Sequence, residues 1–556
     1  MTGGTWMHGG QALARQLRAE GVDTVFTLTG GHISALYDGC VDEGIRVVDV
    51  RHEQAAAHAA DAYARLTLRP GVAAVTAGPG LTDAITGAAN AYYANSPMVL
   101  LAGRNPLGLE GMGALQDAPQ VELLRPVTKW AGTVGESRRL REVFDVAVRH
   151  ALTPRMGPVL IDLPMDVLMG GADENAYVIP DRNRFTHLAG PDPDVVVQTA
   201  KLLAEASRPV VLSGSGTYWA RAWDPLHTFV ETAGAPLYVN GMSRGIVPSD
   251  HPNLFALTRR HALRHADLII ALGIDFDFRL GFGQGEGYAD DVRVVHVDPQ
   301  PDRIGHNRSV ALGAVSDIGR FLDALVEHAG TFGQTAPTSW LTTLREEEAG
   351  RTAARDEAAS SDASPIHPLR FAREVAAALD PDGVVIGDGG DIVALTAGFV
   401  RTDVPGHWMD PGPFGCLGVG APFALAARLL RPDRQVTVVF GDGSFGFNGF
   451  EYDSAVRNGL PFLGIIGNDG AWGEMKAFHE RAYGAEGMVA QDLSQETRYE
   501  QVVEALGGHG ERVERVEDLR PAIERGHAAV AEGVPALVNV ILDRTFRRTS
   551  STAYGS

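Results

Sequence analysis

Cysteine is nearly missing from this chain. Cys40 and Cys416 are the only two, far apart and outside any CxxC pair, which excludes a disulfide framework and fits a reducing cytoplasm. No apolar run approaches the roughly 18 residues needed to cross a bilayer, so a membrane partner is not expected. The N-terminal MTGGTWMHGGQALARQLRAEG has no apolar signal core and reads directly as a helix. Nor is there a Lys/Arg-rich block. The formal net charge is -21, which disfavours nucleic acid and means that an anionic substrate needs a local basic pocket. No short repeat is visible. What remains is ordinary globular composition, 45% hydrophobic and 21% charged over 556 residues, enough for two to four domains with ample cores.

Segments of strand and helix character alternate through most of the chain, the pattern of α/β layers. In a first block, residues 1–172, VDTVFTLTG, IRVVDV, GVAAVTAG, PMVLLAG and GPVLIDLP read as strands. The polar GGADENAYVIPDRNRFTHLAGPDPD reads as a linker. A second block, 190–330, carries RPVVLSGSG, APLYVN, DLIIALG and VRVVHVD. The charged, Ala/Ser-rich TFGQTAPTSWLTTLREEEAGRTAARDEAASSDASP is expected to connect the blocks, partly helical at best. A third block, 365–543, opens on GVVIGDGGD, and residues 544–556 read as a tail or lid. In the second block Gly214-Ser215-Gly216 follows one strand and Asp298 another. Such a turn by itself more often marks a tight corner than a nucleotide site, and no dinucleotide is assigned there.

The most informative stretch is VTVVFGDGSFGFNGFEYDSAVRNGLPFLGIIGNDGAWG. An apolar strand over 436–440 enters the turn Gly441-Asp442-Gly443-Ser444, and a second over 462–466 ends at Asn468-Asp469-Gly470. Asp442 and Asp469, 27 positions apart, therefore sit at the carboxyl ends of two strands of a parallel sheet, the edge where open α/β sheets bind ligands. Two carboxylates beside a glycine-exposed backbone make an oxygen site for a hard cation such as Mg2+, which in turn holds phosphate. Near the N-terminus, IRVVDVRHEQAAAHAADAYARL brings a further carboxylate. Glu53 follows an apolar strand and opens an Ala-rich helix, a place the helix dipole favours for any glutamate. VTAGPG, 75–80, is the next strand and turn.

Together, Glu53, VTAGPG and the GDG–ND pair resemble the thiamine diphosphate enzymes of the acetolactate synthase-like superfamily, over nearly the full chain. The resemblance implies three doubly wound parallel-sheet α/β domains, pyrimidine-binding, central and diphosphate-binding in that order. It implies thiamine diphosphate and Mg2+, and leaves FAD or ADP in the central domain open. In that pattern Asp442 and Asp469 bind Mg2+ by side chain and Ala471 by its carbonyl. Gly441, Gly443, Ser444 and the Gly389-Gly390 turn face the diphosphate, with Asn468 and Trp472 in the second motif. Leu417, in DPGPFGCLGVGAP, is the apolar residue beneath the bent cofactor or a plain core leucine; Gly415 accepts from the 4'-amino group. Glu53 hydrogen-bonds N1' of the aminopyrimidine, so the cofactor carries the hard chemistry while the protein orients it. Gly30-Gly31-His32 and Gln116 face the thiazolium, His32 being either a proton donor or a structural turn histidine. Glu496, in DLSQETRYEQ, is either an acid–base group or a solvated helix-start carboxylate.

Four segments narrow the resemblance toward the 2-hydroxyacyl-CoA lyases, related to oxalyl-CoA decarboxylase. They are GGHISALYDGC with IRVVDVRHE, GMGALQDAPQVELLRPVTKWA, ALGIDFDFRLGFG, and GNDGAW with VILDRTFRR. The expected reaction is reversible cleavage of a 2-hydroxyacyl-CoA to an aldehyde or ketone plus formyl-CoA, with His32, Gln116 and Glu496 as candidates near the 2-hydroxyl. Arg544, Arg547 and Arg548 read either as a phosphate-binding lid for CoA or as a solvated tail. Acetolactate synthase and 2-ketoacid decarboxylase share every cofactor residue and stand as alternatives. So does an inactive regulatory protein of this fold, although Glu53 and Asp442 are both retained. These two residues lie in different domains yet touch one cofactor in the resembled enzymes, so a homodimer is the minimum and a homotetramer a pair of dimers.

Overall fold

A computed structural model describes residues 5–177, 188–334 and 336–548. Three parallel sheets organise it. The first has strands β1 (Thr24–Thr27), β2 (Arg46–Asp49), β3 (Gly71–Val75), β4 (Met98–Arg104), β5 (Trp130–Thr133) and β6 (Val159–Pro164), in the order β2-β1-β3-β4-β6-β5. The second has β7 (Pro209–Ser213), β8 (Leu237–Val239), β9 (Leu268–Leu272), β10 (Arg293–Asp298) and β11 (Leu312–Val315), in the order β8-β7-β9-β10-β11. The third has β12 (Val384–Asp388), β13 (Trp408–Met409), β14 (Val436–Gly441), β15 (Leu463–Asn468), β16 (His509–Val513) and β17 (Ala536–Ile541), in the order β13-β12-β14-β15-β17-β16. Counted from its own first strand, the third sheet repeats the order of the first. Helices cover both faces, which is why the central strands read as unbroken apolar runs.

The central strand β17 and the edge strands β5, β11, β13 and β16 go beyond the strands expected from sequence, and the edge strands share a reason. Each is short or partly polar, because an edge has less surface to bury. Two further expectations are corrected. The N-terminus does not begin directly as a helix: Trp6–His8 pairs antiparallel with Gly171–Asp173 before the helix Gly9–Ala19 starts. The beginning of the expected linker therefore belongs to the first domain, while residues 178–187 lie outside the described residues. The connector is also more ordered than expected, forming a helix over Thr338–Ala358. Its Ala, Glu and Arg residues favour helix, and Trp340 and Leu344 bury against the central domain. Glu348 fixes the register by accepting from the N–H groups of Ala256, Leu257 and Thr258 at 2.9–3.1 Å.

The outer domains meet through the helices Glu53–Thr67 and Gly420–Leu430, whose facing alanines permit close approach. Arg65, fully buried there, forms a bidentate pair with Asp61 at 2.8 Å and donates to the Asp410 carbonyl at 2.6 Å. Its guanidinium lies 4.9 Å from the centre of the Phe423 ring, and its own carbonyl accepts from Tyr218 Oη of the central domain at 2.5 Å. One residue thus touches all three domains. Arg65→Ala leaves Asp61 buried without its partner, a change costing about 3–5 kcal/mol. Calorimetry should show a clear loss of Tm that Arg65→Met with Asp61→Leu largely recovers; an unchanged Tm in Arg65→Ala would remove the pair from this role.

Candidate active site

Strands β12, β14, β15 and β17 deliver their C-terminal turns to one edge of the third sheet, where a cavity of about 360 Å³ opens. On its wall stand Gly389, Gly390, Gly415, Leu417, Gly441, Asp442, Gly443, Ser444, Asp469, Ala471 and Trp472. The glycines are required by close approach. A Cβ on Gly443 would overlap the Trp472 ring and one on Gly390 the Glu474 carboxylate, so bare backbone faces the cavity at both turns.

Asp442 is buried, and its Oδ2 has no hydrogen-bond partner. Asp469 accepts from the Ala471 N–H at 3.2 Å. Burial first, and for Asp442 the neighbouring Asp469 second, holds both carboxyls well above the usual carboxylate range. The residues after Asp469 form a short antiparallel bridge, Trp472 N–H to Gln491 at 2.9 Å and Leu493 N–H to Gly470 at 2.8 Å. These two bonds flank Ala471 without using its carbonyl. A buried and a half-buried carboxylate, one oxygen of the first without a partner, beside such a carbonyl are the donor set of a hard divalent cation.

Other side chains of these motifs brace the wall, line it or lie outside it. Asn468 lies beneath it, its side chain accepting from Gly470 N–H at 3.0 Å and donating to Asn539 at 3.1 Å, so it shapes the turn. The Ser444 hydroxyl lies 2.5 Å from the Asp388 carbonyl and 2.9 Å from that of Gly441, bracing two turns against each other. Glu496 is exposed and outside the wall; its neighbour Gln495 instead ties the carbonyls of Asn468 and Leu542 at 3.0 and 2.8 Å. Phe546 and Asp543 line the cavity. The three C-terminal arginines are already paired, Arg548 with Asp391 at 3.0 Å, Arg547 with Glu480 at 3.2 Å and Arg544 with Asp492 at 3.0 Å. Residues 549–556 of the expected lid lie outside the described residues.

The N-terminal motif residues gather at the matching edge of the first sheet and contribute nothing to that cavity. Gly30 and Gly31 follow β1, and a Cβ on Gly30 would overlap Thr76 after β3. His32 contacts Thr76 Oγ1 at 3.2 Å and Asn105 Oδ1 at 3.1 Å. Gln116 has φ +63° and packs its backbone where Gly78, φ +56°, leaves room. Glu53 is buried at the helix start, its Oε1 close to Gly80, and burial raises its pKa.

Several functional side chains escaped the sequence reading. Gln120, fully buried, accepts from Gly78 N–H at 2.8 Å and donates to Asp162 at 2.6 Å, holding the VTAGPG turn. Asp388 accepts from the N–H groups of Gly418 and Gly420 at 3.0 and 2.7 Å, anchoring the loop that carries Gly415 and Leu417; burial pushes its carboxyl up to about 6. Glu451 opens the helix Glu451–Asn458 and accepts from the Arg51 N–H at 2.9 Å and from Ser454 Oγ at 2.6 Å. It therefore pins, from the third domain, the turn that presents Glu53. Nothing local marks it, since its partner lies 400 positions away. A second cavity, about 480 Å³, lies between the domains beside Gly214-Ser215-Gly216. Its Arg155 is held by Asp275 at 2.8 Å and Asp298 at 2.7 Å.

Three family models match in chain order. They are the N-terminal TPP binding domain of the thiamine pyrophosphate enzymes at residues 7–123, their central domain at 196–325 and their C-terminal TPP binding domain at 388–540. The acetolactate synthase large subunit IlvG of Mycobacterium tuberculosis is 42% identical over 97% of this chain and 96% of its own length. The 2-hydroxyacyl-CoA lyase 2 of Homo sapiens is 34% identical over 98% of this chain and 92% of its own, and that of Bos taurus 35% over 98% and 92%. The chain belongs to the thiamine pyrophosphate enzyme family. Its two outer domains match TPP binding domains, and the orphaned Asp442 oxygen, the Ala471 carbonyl and the glycine turns fit a diphosphate held through a divalent cation.

Because the folded-state pKa values of Asp442 and Asp469 are raised, metal-free protein gains from their protonation at low pH and loses that stability as pH rises from ~4 toward neutrality. Saturating Mg2+ should flatten this slope in a plot of Tm against pH, and Asp442→Asn should abolish the Mg2+ effect; a slope insensitive to both would contradict the site. Glu451→Gln keeps an acceptor for Arg51 N–H, so its kcat should stay near that of the parent. Glu451→Ala frees the Glu53 turn and should lower kcat by up to ~100-fold with cofactor Kd little changed. Equal kcat in both variants would show that the pin is dispensable.

Proposed function

We propose that this enzyme is a carbon–carbon lyase of the reducing cytoplasm that reversibly cleaves a 2-hydroxyacyl-CoA to an aldehyde or ketone plus formyl-CoA, acting as a homodimer or a pair of dimers. The observation that carries the substrate choice is the likeness to the lyase relatives over 98% of the chain; the cavity wall is the cofactor's, and its charge is common to both readings. Asp391, Asp442, Asp469, Glu474 and Asp543 line it, with no Lys, Arg or His among the described lining residues. Arg548, which reaches Asp391, is taken up by it at 3.0 Å. A divalent cation offsets two of the five charges. With Asp391 taken up by Arg548, Glu474 and Asp543 remain, beside the turns that would receive the diphosphate. A 2-hydroxyacyl thioester is uncharged around its reacting bond and keeps its phosphates at the far end of CoA.

In the cleavage the C1–C2 bond breaks, the 2-hydroxyl gives up its proton, and C1 gains one. Thiamine diphosphate, when bound, supplies the sink for the electron pair left on C1. The chain supplies position and proton handling. Asp442, Asp469 and the Ala471 carbonyl would hold Mg2+, the turns at 389–390 and 441–443 would face the diphosphate, and Leu417 would underlie the cofactor's bend. Glu53, its carboxyl kept above the usual range by burial, would hold a proton against the aminopyrimidine. His32 is committed at both ring nitrogens, to Thr76 and Asn105, so it orients this edge unless its bond to Asn105 opens.

The homodimer is supported by the division of the motifs. The cavity wall comes entirely from residues 368–546, and Glu53 stands on another edge. A second copy, turned about a twofold axis, would bring its own Glu53 to that cavity. Phe414, Phe447 and Phe450, 42%, 53% and 63% exposed, offer an apolar face for it. The alternative reading, acetolactate synthase, is favoured by the 42% identity to relatives so named.

Incubation with a panel of 2-hydroxyacyl-CoAs and with pyruvate separates the two. The expected products are formyl-CoA and a carbonyl compound, with turnover reduced by ~100- to 10,000-fold in Glu53→Gln while cofactor still binds. Acetolactate from pyruvate, with every thioester left intact, would transfer the assignment to the synthase.

A further inference from the structure

Away from the cofactor edge, three side chains of the central domain converge on one point. His227 and Glu231 stand one turn apart on the helix Trp223–Ala233 and so share a face. His251 comes from the segment after β8. One ligand atom from each lies within 4.8 Å of the other two. His227 Nδ1 and Glu231 Oε2 are 3.7 Å apart, too far for a hydrogen bond between them, and the two imidazole centres are 5.5 Å apart. The backbone that carries His251 is held on both sides: Ser249 N–H donates to Asp403 at 2.7 Å, Leu254 N–H to the His251 carbonyl at 3.0 Å, and Leu237 N–H to the Asn253 carbonyl at 2.7 Å.

We propose that His227, Glu231 and His251 form a three-ligand site for a borderline divalent transition ion of the Zn2+ class, its remaining position open to water. Two imidazoles and one carboxylate suit such an ion, whereas Mg2+ prefers an all-oxygen shell of the Asp442–Asp469 kind. Metal–ligand bonds near 2.0–2.1 Å set tetrahedral ligand atoms ~3.3 Å apart, so the three groups close by about 1.5 Å at most on binding. The partly exposed His227 and Glu231 side chains, 38% and 59% accessible, have room to do so. Asn253 N–H donates to His251 Nδ1 at 3.2 Å; ligation through Nε2 moves a proton to Nδ1 and gives up that long contact. Burial, and then the neighbouring His227, lowers the His251 pKa, so proton competition for this ligand is small at neutral pH. A bound ion would fasten the helix to the segment after β8.

Full-length enzyme saturated with thiamine diphosphate and Mg2+ is titrated with Zn2+ by calorimetry, and with Co2+ while its visible spectrum is followed. The expected result is one Zn2+ per chain with micromolar affinity, weakened at least ~10-fold in both His227→Gln and His251→Gln, and a Co2+ spectrum of low-coordinate type that both variants lose. His306→Gln serves as a surface-histidine control and should bind as the parent does. Binding that is absent in the parent, unchanged in both variants, or displaced by added Mg2+ overturns the site.

Discussion

Asp442 is buried and Asp469 half-buried beside it, so keeping both ionised is costly without a cation between them, and the architecture is arranged around that constraint. Asp442 and Asp469 end adjacent parallel strands, β14 and β15, whose register places the two turns level. Burial weakens the screening of Asp442 by water, and one of its oxygens is left with no protein partner. A divalent ion held there would resolve the conflict and attract a second anion, and glycine turns leave backbone exposed to receive it. The buried Asp388, Asn468 and Ser444 hold the turns in this unfavourable arrangement.

The same sheet order recurs in the first domain, where the ends of β1, β2, β3 and β4 present Gly30, Glu53, Thr76 and the segment leading to Gln116. These two edges of one chain are coupled through packing. The Arg65–Asp61 pair joins the helix that begins at Glu53 to the loop at Asp410, and that loop continues to Gly415 and Leu417 on the cavity wall. Asp410, Gly412 and Pro413 also line the larger cavity between the domains. Glu451 reaches back to the Glu53 turn from the helix that follows the metal turn. A shift of any of these elements displaces a side chain at the cofactor edge.

Much of this was legible in the chain. The GDG and ND turns and Glu53 are local features: a strand end, a glycine and a carboxylate within a few residues. Their chemistry is written at that scale, as are the long apolar strands. What escaped depends on distance in sequence. Glu451, Gln120 and Asp388 look like ordinary polar residues until a turn 30 to 400 positions away meets them. The edge strands β5, β11 and β16 were missed because little of them is buried; β13 is buried but only two residues long, and the buried β17 was also not read as a strand. The helix at Thr338–Ala358 was underrated because its two apolar anchors, Trp340 and Leu344, are diluted by charge. Asn468 lies in the right motif but points inward, and Glu496 lies near it but faces solvent; side-chain direction is set by packing that a motif does not contain. The C-terminal arginines look free in sequence and are paired with carboxylates in the fold.

The central claim is that one cofactor is shared between Glu53 of one protomer and Asp442 of its partner. It is tested most directly by mixing two inactive variants, Glu53→Gln and Asp442→Ala, unfolding or dissociating them together and reassembling. Random pairing of isologous dimers makes half of them hybrid, each with one intact site of two, so about a quarter of the parental activity should return. If each site were built within a single chain, every site in the mixture would carry one of the two lesions. Activity that stays at the level of the separate variants, in a mixture shown to contain hybrid dimers, would contradict the account.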